Sequence, residues 1–332
     1  MEKVIRERYN EAILQEAAAR YGIKTDQIRL LDGFESFMYE FDQNGQAFIL
    51  RLSHSFRRSV SLIRGEVDWI NYLADGGLGV SRIVPSPGGE LVEIVDDNQG
   101  GQFLATAFVK AAGGPPWESG QWDERLFECY GRFLGQMHAL SKAYELPNPA
   151  WKRPEWDDPE LMDVFTWLPE SQQLVREKAE AVMRQLRALP KDEASYGLIH
   201  QDAHGGNFFV DEQYRITLFD FDDCVYSWYV YDIAMVLFYA LTNHDDPQGF
   251  GAHFWSHFWP GYRAENYLDP IWLEQLQVFF KLREIDLYAI IHRSFDVDNL
   301  SDPWVKAFMD GRRERIERDL PYVSLEFPAD LG

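Results

Sequence analysis

Residues 198–210 read Leu198-Ile199-His200-Gln201-Asp202-Ala203-His204-Gly205-Gly206-Asn207-Phe208-Phe209-Val210, and further on comes Phe219-Asp220-Phe221-Asp222-Asp223. In both segments apolar residues bracket a polar cluster, the pattern of short buried strands that end in functional loops. The flanking runs predict strands over Tyr196–Ile199 and Ile216–Phe219, with the two polar tips side by side. The carboxamide oxygen of Asn207 and the carboxylate of Asp220 are hard oxygen donors of the type Mg2+ prefers. Asp202 is then left to take a proton or to aim a hydroxyl. Phosphoryl transfer needs this division of labour, in which metal ions neutralise phosphates while a separate carboxylate positions the nucleophile. A lone Asp is most simply a loop carboxylate; the joint spacing of Asp202, Asn207 and Asp220 makes the functional reading the stronger one. Asp222 either joins a second metal or bonds the backbone of its own turn.

Upstream of these loops the chain changes character once. Val4–Tyr21 reads as one amphipathic helix stopped by Gly22. Short β-rich runs follow, Gln27–Leu31, Phe37–Phe41 and Ala47–Leu52, separated by the turn pairs Asp32-Gly33 and Asn44-Gly45. In the third run Phe48, Leu50 and Leu52 face a core, and Ile49 and Arg51 project from the other side. Arg64–Asp75 is helical, and Leu91–Val95 and Phe103–Val109 form a further strand pair. After Gly113-Gly114-Pro115-Pro116 the pattern is helical, beginning with Glu124–Lys142 and, beyond a Pro- and Trp-rich connection, Gln172–Leu189. Tyr231 onward is helical and aromatic. Asp232 opens that stretch and is read as a helix N-cap. The fold class is therefore α+β and bilobal, with a β-rich lobe over residues 1–112 and a larger, mostly helical lobe over 113–332.

Composition excludes several classes. Apolar residues at 46% and aromatics at 15% rule out a chain disordered throughout. Lysine and arginine number 32 against 54 acidic residues, a net charge of −22, which argues against a nucleic-acid surface. The two cysteines, Cys129 and Cys224, lie far apart and supply neither a disulfide framework nor a zinc knuckle. No apolar run is long enough to cross a bilayer, and Met1–Gly22 lacks a signal-peptide core, so the expected location is the cytoplasm.

His200-x-Asp202-x-x-x-x-Asn207 followed by Asp220-Phe221-Asp222, with Tyr231-Asp232-Ile233-Ala234 after it, resembles the catalytic and metal-binding loops of the aminoglycoside phosphotransferase and choline kinase family. These are small-molecule kinases of protein-kinase-like fold. The resemblance spans Ile28 to Leu241 and is sharp in Ile199–Ala234. It implies Asp202 as catalytic base, Asn207 and Asp220 as Mg2+ ligands, and His200 as the packing residue that fixes the loop. His204 is read as shaping the loop. The resemblance also assigns ATP to the first lobe, where Leu31–Phe37 stands in the place of a glycine-rich loop with one glycine, helped by Ser36. Arg51 occupies the position of the usual strand-three lysine, with Lys24 the nearest alternative, and Glu66 on the following helix is its expected partner. Arginine grips phosphate oxygens through its planar fork. Ile49 would floor the adenine, and Val109 and Ala111 would bond it through their backbones.

For the acceptor, a small-molecule hydroxyl is expected, and an amine-bearing one would suit the acidic group Glu155, Asp157, Asp158, Glu160 and Asp163. A solvated charged face is the simpler account of that group. Trp255, Trp259, Tyr262, Trp272, Tyr288 and Arg283 lie on late helices and are read as core. Other readings of the same residues remain open: a Ser/Thr protein kinase on this fold, a two-metal hydrolase built on His200, Asp202, His204, Asp220 and Asp222, or a catalytically idle nucleotide-binding module. Neither a nucleic-acid nor a membrane partner is expected, and oligomeric state is not legible.

Overall fold

A computed structural model describes residues 2–31, 33, 35–159 and 164–330. The N-terminal stretch forms two helices, α1 (Lys3–Arg8) and α2 (Glu11–Arg20), where the sequence predicts one. The break lies at Asn10, whose extended backbone lets its side chain accept from the Ala12 and Ile13 amides and cap α2. Strands β1 (Ile28–Leu31), β2 (Phe37–Gln43) and β3 (Gln46–His54) follow, then helix α3 (Val60–Asp75). Next come β4 (Ile83–Val84), β5 (Glu93–Asp96) and β6 (Gln102–Val109). All pairings in this sheet are antiparallel, in the order β1-β2-β3-β6-β4, with β5 also on β6. Asn44 and Gly45, both at positive φ, make the tight β2–β3 turn and set Gln43 opposite Gln46.

The remaining elements are mostly helical: α4 (Glu124–Lys142), α5 (Val164–Trp167) and α6 (Gln173–Arg187). The short strands β7 (Tyr196–Ile199), β8 (Phe208–Val210), β9 (Ile216–Leu218) and β10 (Val225–Trp228) come next. The chain continues with α7 (Tyr229–Leu241), α8 (Pro247–Glu265), α9 (Leu276–Ser294), α10 (Pro303–Met309) and α11 (Arg312–Glu317). The two strands expected around the catalytic segment exist, yet they belong to different ribbons: β7 pairs with β10, and β8 with β9. The partner strands β8 and β10 are too short to announce themselves beside turn residues and a helix start.

Two cores hold the fold. Ile13, Leu14, Ala17 and Tyr21 of α2 pack on Tyr39, Leu50, Leu52, Phe103 and Ala105 of the sheet. The opposite sheet face, with Leu104 and Phe108, joins the large core that α3, α4, α7, α8 and α9 fill. Arg51 therefore projects into protein and not into water; its residue exposure is 4%. Helix α7 is buried on nearly every side, which explains its unbroken apolar run. Among the described residues no helix is long and apolar enough to cross a membrane.

Candidate active site

The loop between β7 and β8 is pinned at both ends. Asp232, inside α7, accepts from the backbone amides of His200 at 3.0 Å and Gln201 at 2.7 Å, and from His138 Nε2 at 3.2 Å. It is a buried anchor of the loop rather than the N-cap expected from sequence, since Trp228 occupies the cap position. The His200 ring bonds the Phe219 carbonyl at 3.1 Å through Nε2, while its Nδ1 accepts from the Asp202 amide at 3.2 Å. Both nitrogens are thus engaged, so His200 fixes the loop and is not a metal ligand, which removes the hydrolase arrangement. Gln201 sits at φ 70°, a conformation unusual for a side-chain-bearing residue, and it turns Asp202 toward the cleft.

Asp202 is surrounded by donors. Asn207 Nδ2 reaches its carbonyl and its Oδ2, each at 2.9 Å, and Arg283 of α9 reaches Oδ1 at 3.1 Å. His204 Nε2 lies 3.4 Å from Oδ2, while its Nδ1 accepts from the Gly206 amide, the loop-shaping contact expected of it. Burial opposes the charged form of Asp202, but His204 and Arg283 outweigh it and hold the carboxyl well below the usual range. The Phe219 amide donates to the Asn207 carbonyl at 2.9 Å, which brings the Asp220 segment against the Asp202 loop.

Asp220 also takes positive φ, at 65°, and has no hydrogen-bond partner among the described residues. Although Asp220 is open to the cleft, desolvation by the surrounding walls, together with the carboxylates of Asp222, Asp223 and Asp202, pushes it up to about 7; Arg51 acts the other way. A cation brought there would relieve that repulsion, and the donors are oxygens. Asp222 differs: its Oδ2 accepts from Arg57 Nη2 at 2.6 Å and Nε at 3.1 Å. Its Oδ1 is buried without a partner. Arg58 pairs with Asp223 at 2.6 Å.

Arg51 and Glu66 form the expected pair across β3 and α3, two parallel bonds of 2.7 and 2.9 Å, with Arg51 Nε on Thr106. Ser36 bonds Ser53 through their hydroxyls at 3.1 Å. Glu35, in the same β1–β2 connection, bonds Arg293 of α9 at 2.6 Å and so links the sheet to the helices. Asp32 and Phe34 of this loop lie outside the described residues.

A continuous cavity of about 1080 Å³ joins these groups. Ser36, Ile49, Arg51, Ala111, Asp202, Asp220 and Asp222 all line it. Glu66 stands behind Arg51, and Asn207 stands behind Asp202. Val109 does not line it, and its amide donates to the Arg82 carbonyl at 2.8 Å, whereas Ala111 does line it. Lys24 is exposed and does not line the cavity either.

The wall also includes Trp156, Trp167, Tyr239, Leu287, Phe295 and Trp304, with Asp286 and Arg293. Of the late-helix residues, Arg283 lines the cavity, whereas Trp255, Trp259, Tyr262, Trp272 and Tyr288 are core. The acidic group divides as a paired surface. Glu155 accepts from Lys152 and Lys191, Asp157 pairs with Arg187, and Glu160 and Asp163 lie outside the described residues. Sequence reading missed Arg57, Arg58, Tyr239 and Asp286. A signal existed for the last: Arg283 and Asp286 are charges three residues apart in a stretch of α9 that is otherwise buried and mostly apolar.

Comparison with known proteins agrees with this geometry. The profile of the phosphotransferase enzyme family matches residues 26–266. An amicoumacin kinase of Bacillus subtilis (strain 168) is 42% identical over 325 residues, 97% of this chain and 96% of the relative. A solved amicoumacin kinase in complex with AMP-PNP, Ca2+ and Ami superposes with a TM-score of 0.92 at 36% identity, covering 98% of this chain and 99% of that one. A microcompartment-associated aminopropanol kinase superposes with a TM-score of 0.75 at 24% identity, covering 94% and 98%, and shares the fold. The chain belongs to the phosphotransferase enzyme family and is an ATP-dependent kinase with a small-molecule hydroxyl as acceptor.

Proposed function

We propose that this kinase phosphorylates an amicoumacin-type molecule, with Asp202 as the residue that orients the acceptor hydroxyl and takes its proton. The observation that carries the reading is one cavity whose wall holds Asp202, Asp220 and Arg51 together with an aromatic surface. Its volume of about 1080 Å³ exceeds what a single small ligand ordinarily needs, which suits two reactants meeting end to end. Trp156, Trp167, Phe295 and Trp304 favour an acceptor with an apolar, flat body over a polycationic sugar. The kinship with amicoumacin kinases supports the same choice.

Asn207 and Asp220 would hold Mg2+, with the unpartnered Oδ1 of Asp222 as a further donor; the all-oxygen set and the crowded carboxylates fit such an ion. A bound divalent cation neutralises phosphate oxygens as charge moves to the leaving group. Arg51, fixed by Glu66, presents its charge to the phosphates, and Ser36 and the backbone around it cover them. Ile49 and Ala111 suit the adenine. Asp202, kept ionised by Arg283 and His204, accepts a hydrogen bond from the acceptor hydroxyl and aligns its oxygen with the terminal phosphorus. A carboxyl this acidic is a weak base, so proton transfer follows late, once the hydroxyl has begun to bond phosphorus.

The test is turnover of ATP with amicoumacin, an aminoglycoside and a choline-like amine as acceptors, read by mass gain of the product. The amicoumacin arm alone should gain one phosphoryl group. Asp202→Asn should cut turnover by about 10²–10⁴-fold while ATP still raises the melting temperature. Full activity in that variant, or preference for the polycationic acceptor, would overturn the assignment.

A further inference from the structure

Away from the cleft, Glu124 at the start of α4 meets His253 and His257 of α8. We propose that these three side chains form a transition-metal site, of the Zn2+ class, that ties α4 to α8. The two histidines are one turn apart on a single helix face, so both imidazoles point the same way. One ligand atom from each of the three residues falls within 4.8 Å of the other two. His253 Nε2 stands 3.4 Å from Glu124 Oε1. Bonds of about 2.0–2.1 Å to a tetrahedral zinc separate neighbouring ligand atoms by about 3.4 Å, so this pair already spans one tetrahedral edge.

The frame that carries the ligands is rigid. A Cβ on Gly131 of α4 would fall 1.9 Å from the Phe258 carbonyl of α8, and one on Gly261 would fall 2.3 Å from the Glu128 carbonyl. The two backbones are therefore in direct contact, and the helices cannot slide apart to dissolve the cluster. Phe127 backs the His253 ring edge-on, and the His253 and His257 rings lie 5.1 Å apart between centroids. Two imidazole nitrogens and one carboxylate oxygen select Zn2+, Cu2+ or Ni2+ over Mg2+ or Ca2+, which prefer oxygen alone. The fourth position faces solvent and takes water.

The site also has a connection to the catalytic loop. Tyr130 of α4 donates through its hydroxyl to the Ala203 carbonyl, and Phe254 of α8 packs on Trp122 and Phe127 just beside the ligands. An ion here would stiffen the helix pair on which that loop rests.

Zn2+ alone, and Co2+ as its spectroscopic substitute, should be titrated into the full chain with excess Mg2+ and ADP occupying the cleft. One equivalent of Co2+ should bind with the intense visible absorption of tetrahedral coordination. A hundredfold excess of Zn2+ over its dissociation constant should raise the melting temperature by about 4 °C. His253→Ala with His257→Ala should abolish both signals, and Glu124→Gln should weaken binding at least about tenfold. Glu124 and His253 are exposed and His257 is half-buried, so the substitutions should leave the metal-free melting temperature nearly unchanged, which separates loss of the site from loss of the fold. Absence of saturable binding, or Co2+ binding that survives the double substitution, would overturn the proposal. Failure here leaves the phosphotransfer reading untouched, because Asp202 and Asp220 take no part in it.

Discussion

Two buried arginines reach the cleft from opposite walls, and they are partnered differently. Arg51, on the sheet, has a closed set: both terminal nitrogens on Glu66 and Nε on Thr106. Arg283, on α9, divides itself between Asp286 at 2.6 Å, Asp202 at 3.1 Å and the Tyr239 hydroxyl, and its Nε is buried without a partner. The first pair is a closed structural unit on the cavity wall; the second couples a scaffold carboxylate to the one proposed to react. A buried charge whose partner is permanent sets stability, whereas one shared with a functional group sets reactivity.

That contrast can be broken by substitution. Arg51→Met leaves the fully buried Glu66 without its partner, so denaturant unfolding should show a loss of about 3–5 kcal/mol. Arg51→Lys should regain only part of it, since a point charge cannot make both parallel bonds. A loss below about 1 kcal/mol in Arg51→Met would erase the distinction.

Arg283→Met should act on rate more than on fold. Burial pushes the Asp286 carboxyl up despite Arg283, so once unpaired it can take a proton and escape much of the penalty. Loss of the charged bond to Asp202 should lower kcat by about 10–100-fold with the KM for ATP unchanged. The acid limb of the pH–rate profile should move to higher pH, because the cation that helps keep Asp202 ionised is gone. A fall in stability as large as that of Arg51→Met, with kcat intact, would reverse the comparison.

A third buried pair, His138 with Asp232, sharpens it through a group that changes charge. Burial lowers the pKa of His138 below its ordinary value, although Asp232 opposes this, so the folded protein keeps the ring neutral. Unfolded chains bind a proton there below about pH 6.5, and folded ones do not until lower pH. Stability contributed by this histidine is therefore complete above that pH and declines as pH falls through it, by at most about 1.4 kcal/mol per pH unit. Melting temperatures of His138→Gln measured from pH 7.5 to pH 5 should fall less steeply than those of the parent. Equal slopes would mean that the ring is not held neutral.

Legibility in the sequence followed distance along the chain. The Asp202, Asn207 and Asp220 constellation spans few residues, so its spacing nominated it, whereas Arg51 and Glu66 were nominated by the family resemblance. Helix α4 was readable to its ends because Asp123 caps it and its apolar face repeats without interruption. The break at Asn10 was missed because the apolar period runs on through it, although an Asn ahead of Glu11 is itself a capping signal. The strand register spends the Val109 amide on Arg82, a partner set by pairing with the β4 segment and invisible to short-range spacing. Arg57 and Asp222 are 165 residues apart, and no local pattern announces such a pair.

By itself the sequence determined the class of chemistry and the α+β division, and it nominated the candidate residues for metal and proton work, because those depend on donor type and short-range spacing. Only the tertiary structure decided which arginine holds which carboxylate, that Asp232 anchors the β7–β8 loop from inside α7, and that aromatic side chains line part of the cavity. Those outcomes depend on which distant side chains burial brings into one low-dielectric space, where an unpaired charge costs most and each partner is chosen by geometry.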